Sequence, residues 1–67
     1  MSRVLAQATV EKLEDGPMPV WEVDVTGGFE DGMGKAHRFY TISEKTDDNA
    51  AQEGIRRFVE EMENLLP

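Results

Sequence analysis

The chain has 67 residues, which is room for one small domain. Apolar residues make up 39% and charged residues 31%, a globular rather than a disordered balance. Fourteen acids against seven Lys and Arg give a net charge of -7, which argues against a protein that grips a phosphate backbone directly. No cysteine is present, so disulfide frameworks and thiolate metal sites are excluded. No stretch approaches the ~20 apolar residues of a membrane span. The run Met1-Ser2-Arg3-Val4-Leu5-Ala6-Gln7 lacks the apolar core of a signal peptide, and a cytoplasmic location is expected.

The first predicted element is a strand over about 3–12, in which Val4, Ala6, Ala8 and Val10 alternate with Leu5, Gln7, Thr9 and Glu11. Asp15-Gly16-Pro17-Met18-Pro19 breaks it, because two prolines fix φ and remove donors. A second strand over about 20–27 sets Trp21, Val23 and Val25 against Glu22, Asp24 and Thr26. Gly27-Gly28 through Gly34 reads as the next break, a hairpin tip bulged at the glycine pair with Phe29 and Met33 as anchors. The third strand, over about 36–43, carries an aromatic on each face. Tyr40 and Ile42 are assigned inward, and His37 and Phe39 outward.

The last element is an amphipathic helix over about 47–66. Ala51, Gly54, Ile55, Phe58, Val59, Met62, Leu65 and Leu66 fall in one arc at 100° steps. Asp47 or Asp48 is expected to cap it. Gly54, costly in a helix interior, is explained by close approach of the helix to the sheet. The pairs Glu53–Arg57, Arg56–Glu60 and Arg57–Glu61 neutralise the helix exterior locally. The fold class is therefore α+β, a three-stranded antiparallel meander backed by one C-terminal helix, β-β-β-α. Leu13, Met18, Phe29 and Met33 are expected to seal the ends of its core.

Chemistry is hard to place on this chain. Ser2 and Ser43 are the serines and His37 the one histidine, with nothing to join them into a nucleophile and base. The acid clusters lack the alternating ligands of a calcium loop, and Thr46-Asp47-Asp48-Asn49 is more simply a helix start. The glycine-rich segment 27–34 lacks a phosphate-loop spacing. No enzyme, metal or cofactor is expected.

The sheet face away from the helix is different. It would carry Leu5, Gln7, Thr9, Glu11, Glu22, Asp24, Thr26, His37, Phe39 and Thr41, apolar anchors among acids. With the tip it supplies the candidate partner-binding residues: Leu5, Glu22, Asp24, Phe29, Glu30, Asp31, Met33, His37 and Phe39. A protein partner is expected, and the acidity suits a basic one. Open strand edges allow a homodimer as the alternative, an accessory or structural domain. Neither direct nucleic-acid binding nor a membrane is expected.

Met1-Ser2-Arg3, Gly16-Pro17, Trp21-Glu22-Val23 and Asn49-Ala50-Ala51, taken with the element order, carry a resemblance spanning most of the chain. The pattern resembles small β-β-β-α proteins of phages and mobile elements, including some anti-CRISPR proteins. Gln52 to Gly54 stand where those proteins continue an alanine run. The resemblance implies a protein that binds one macromolecular target without catalysis, as an inhibitor. It carries no functional residue across.

Overall fold

The structure, a computed structural model, describes residues 3–32 and 34–65. Its elements are β1 (Val4–Glu14), β2 (Val20–Phe29), β3 (Ala36–Ser43) and α1 (Asp47–Asn64). The strands form one antiparallel sheet in the order β1-β2-β3, with α1 packed across one face. This is the α+β, β-β-β-α arrangement that the alternating strands and the amphipathic tail predict. Met33 of the expected tip and Leu66 of the expected helix arc lie outside the described residues.

Alternation decides which side chains meet the helix. Val23, Val25 and Ile42 point to it and are buried together with Ala50, Phe58 and Met62. Val4, Ala6, Ala8, Val10, Trp21 and Tyr40 pack around this centre. The buried helix stripe runs Ala50, Gly54, Phe58 and Met62, one residue in four. Ala51, Ile55 and Val59, expected within the arc, lie on its flank and are only partly buried. Leu65 is 68% exposed and serves as the C-cap rather than as core.

Two glycines set the spacing of the layers. A Cβ on Gly54 would stand 2.5 Å from Val23 Cγ1, so the helix lies against β2 only because the side chain is missing. A Cβ on Gly27 would run into the Leu5 carbonyl oxygen and come within 2.9 Å of Ala6 Cα. Gly27 is thus no loop glycine. It lets β2 continue against β1 beneath the Phe58 ring, and the ladder holds register through Gly27↔Ala6 and Gly28↔Leu5. The bulge expected at Gly27-Gly28 lies instead in β1, between Lys12 and Glu14.

The ends differ in how well they are closed. At the start of β2 the Trp21 indole N–H donates to the Glu44 carbonyl at 2.8 Å, and Lys12 Nζ stands 5.1 Å from the ring centroid. Leu13 and Met18, expected to seal this end, are 48% and 50% exposed. At the other end Phe29 does close the core. The helix begins at Thr46, whose hydroxyl accepts from the Asn49 N–H at 3.2 Å. The expected caps, Asp47 and Asp48, occupy the first turn, where their charge favours the helix dipole.

Candidate protein-binding face

The uncovered face of the sheet is laid out by the register. Leu5 lies opposite Gly28; Gln7, Thr26 and His37 form one cross-strand row; Thr9, Asp24 and Phe39 the next; Glu11, Glu22 and Thr41 a third. All ten side chains assigned outward are on this face. Phe39 is 60% exposed and Leu5 47%. The ten positions include three carboxylates and one imidazole but no Lys or Arg. Glu11 and Glu22 sit side by side with no ion-pair partner among the described residues.

Asp24 and His37 are diagonal neighbours, and the imidazole Nε2 is hydrogen-bonded to the Asp24 carboxylate. The imidazole also packs on Phe39, with ring centroids 4.6 Å apart and planes tilted by 45°. Asp24 therefore orients the histidine, and the histidine braces the phenylalanine. A solvent-facing aromatic is usually free to rotate; here one side of the ring is held. The register alone creates this trio, which alternation within single strands does not reveal.

Toward the β2–β3 turn the face dips. Gly28 offers no side chain, and the floor between Leu5, Gln7, Thr26 and Lys35 forms a depression of about 430 Å³. Gln7, Thr26, Gly28 and Lys35 were not candidates from sequence, because a missing side chain leaves no mark in a hydropathy pattern.

Of the two anchors expected in the turn, Phe29 is not free to act as one. Phe29 has odd parity in β2, so its ring faces the helix side and packs on the core. Glu30 is exposed but tied back: its N–H donates to the Arg3 carbonyl at 2.7 Å, and its carboxylate lies 3.8 Å from Arg3 Nε. Asp31 is exposed. Among the described residues no group of three or more His, Cys, Asp or Glu is arranged to hold a metal.

Two arginines are paired on the helix exterior. Arg56 bridges Glu53 and Glu60, and Arg57 reaches Glu53 at 3.1 Å. These two guanidiniums hold the Glu53 carboxyl down at about 2, and the Glu53 carboxylate in turn raises Arg56. Glu61, expected to serve Arg57, instead accepts from the Tyr40 hydroxyl at 2.6 Å and lies 3.7 Å from Arg38. Burial and the neighbouring Glu61 carboxylate push the Tyr40 phenol up to about 12. Paired charge on the helix side thus contrasts with Glu11 and Glu22 on the open face, which have no ion-pair partner among the described residues.

The chain matches no family model, no curated protein and no solved structure. No helix among the described residues is long and apolar enough to cross a membrane.

Proposed function

We propose that the protein is a non-enzymatic binding module that presents the open face of its sheet to a basic protein surface. The supporting observation is the composition of that face: Glu11, Glu22 and Asp24 share it with a braced, 60% exposed Phe39, and Lys35 stands apart from them at the depression. An aromatic anchor inside a charged surround is how small binding surfaces concentrate affinity. An excess of negative charge speeds encounter with a cationic partner and disfavours anionic ones. The depression beside Leu5 gives the partner a place for an apolar side chain.

A cationic channel of a nucleic-acid-processing complex fits this chemistry. The chain would then act as an inhibitor, its carboxylates standing where phosphates otherwise bind. The resemblance to small phage inhibitors of the anti-CRISPR kind favours the same reading. The test is affinity capture from an extract of the native host, washed in steps of rising salt. A stoichiometric basic protein released by salt is expected, since the attraction is screened within about 10 Å at 0.1 M. A partner retained at high salt, or an acidic one, contradicts the reading.

A further inference from the structure

The two edges of the sheet are not alike. Register and the Glu30–Arg3 hydrogen bond give odd residues of β1 to the β2 ladder. The backbone N–H and C=O groups of Val4, Ala6, Ala8 and Val10 therefore point out to the free edge. No Lys, Arg or Pro interrupts this edge between Val4 and Glu11, although such residues usually protect one. On the β3 side the helix flank is charged: Glu61 meets Arg38 and Tyr40, and Glu53 and Arg57 continue that flank. The opposite flank, toward β1, carries Ala51, Ile55 and Val59, all partly buried. Half-exposed apolar side chains of both strand and helix thus run along one unpaired edge.

We propose that β1 pairs antiparallel with β1 of a second copy, about a two-fold axis at Gln7. The two three-stranded sheets then join into one, with both helices on the same face. The sequence is self-complementary in this register. Val4 meets Val10 of the second copy and Ala6 meets Ala8, the pairs that share outward hydrogen bonds. Gln7 meets Gln7, Leu5 meets Thr9, and Arg3 meets Glu11. Every pair keeps its face, as a slip of one residue would not. A slip of two loses the opposite charges and sets Arg3 against Thr9 or Leu13. The apolar flanks Ala51, Ile55 and Val59 turn toward each other above the joined edges. The open faces lie side by side on the far surface, each still offering Glu22 and Asp24 to a basic partner.

Sedimentation equilibrium of the full chain over a range of concentrations tests this. The mass should rise with concentration to that of two chains. Arg3→Glu, or Glu11→Arg, sets like charges opposite each other twice across the axis and should weaken the dimer roughly tenfold. The double variant Arg3→Glu/Glu11→Arg should restore it. Arg3 also lies 3.8 Å from Glu30 in its own chain. That contact stays lost in the double variant, so rescue reports only the pair between copies. Both positions are exposed, and circular dichroism checks that each variant folds. A single-chain mass at every concentration overturns the proposal, as does a dimer that ignores the single reversals or is not rescued by the double.

Discussion

The two faces of one sheet obey different rules. On the helix side, β2 places Val23, Val25 and Gly27 under Gly54 and Phe58 with no spare volume. On the open side the same strand places Glu22, Asp24 and Thr26, and its neighbours there are charged, polar or exposed aromatic groups. The lesson is a division of labour within an alternating strand: odd residues of β2 hold the fold together, and even residues are left to do something else.

The sharpest break of this comparison falls on the covered face. Phe58→Ala should cost about 3–5 kcal/mol, comparable to the whole stability expected of so small a domain, and leave the chain largely unfolded by circular dichroism. Gly27→Ala should do similar damage despite adding one carbon. Its Cβ meets backbone atoms of Leu5 and Ala6 that cannot move without separating β1 from β2. Thr46→Ala, which removes the helix cap, should cost about 1 kcal/mol in a denaturant titration.

A smaller effect belongs to the seam between β3 and α1. The chain has one tyrosine, so its ionisation is readable by ultraviolet absorbance. Tyr40 should titrate near 12 in the folded protein, above its ordinary 10, and Glu61→Gln should lower it only part of the way, because burial of the phenol remains. Because the folded value is raised, the associated stability is complete below pH 10 and is lost as the pH climbs through 12. Glu53 has the opposite sign. Its carboxyl is held near 2 rather than 4.5, so its contribution is present above pH 4.5 and fades as the pH falls toward 2. The smallest change in stability is expected on the open face, where Phe39→Ala should stay within about 0.5 kcal/mol.

Much of this was legible in the residues, and all but one of the exceptions share a cause. The alternations at 4–10 and 20–26 and the period of Ala51 to Met62 depend on neighbours in sequence. They placed the sheet, the helix and nearly all of the open face. Gly27 and Phe29 were misread as a hairpin tip because a glycine pair usually signals a break. Here Gly27 answers a steric demand from Leu5 and Ala6, more than 20 residues away in the chain. The Asp24–His37–Phe39 trio and the depression over Gly28 likewise exist only once strands are registered. The cap moved from Asp47 to Thr46 for a local reason: the hydroxyl three residues before Asn49 reaches its N–H, while Asp47 turns its carboxylate to the N–H of Asp48.

The central claim is that the open face binds while the covered face folds. Its most direct measurement compares the wild-type chain with a Phe39→Ala/Glu22→Gln/Asp24→Asn variant, in parallel captures from native-host extract and in thermal melts. Unchanged melting with loss of the captured basic protein is the predicted result. A variant that still captures the same protein, with wild-type stability, would show that the open sheet face is not where the partner binds.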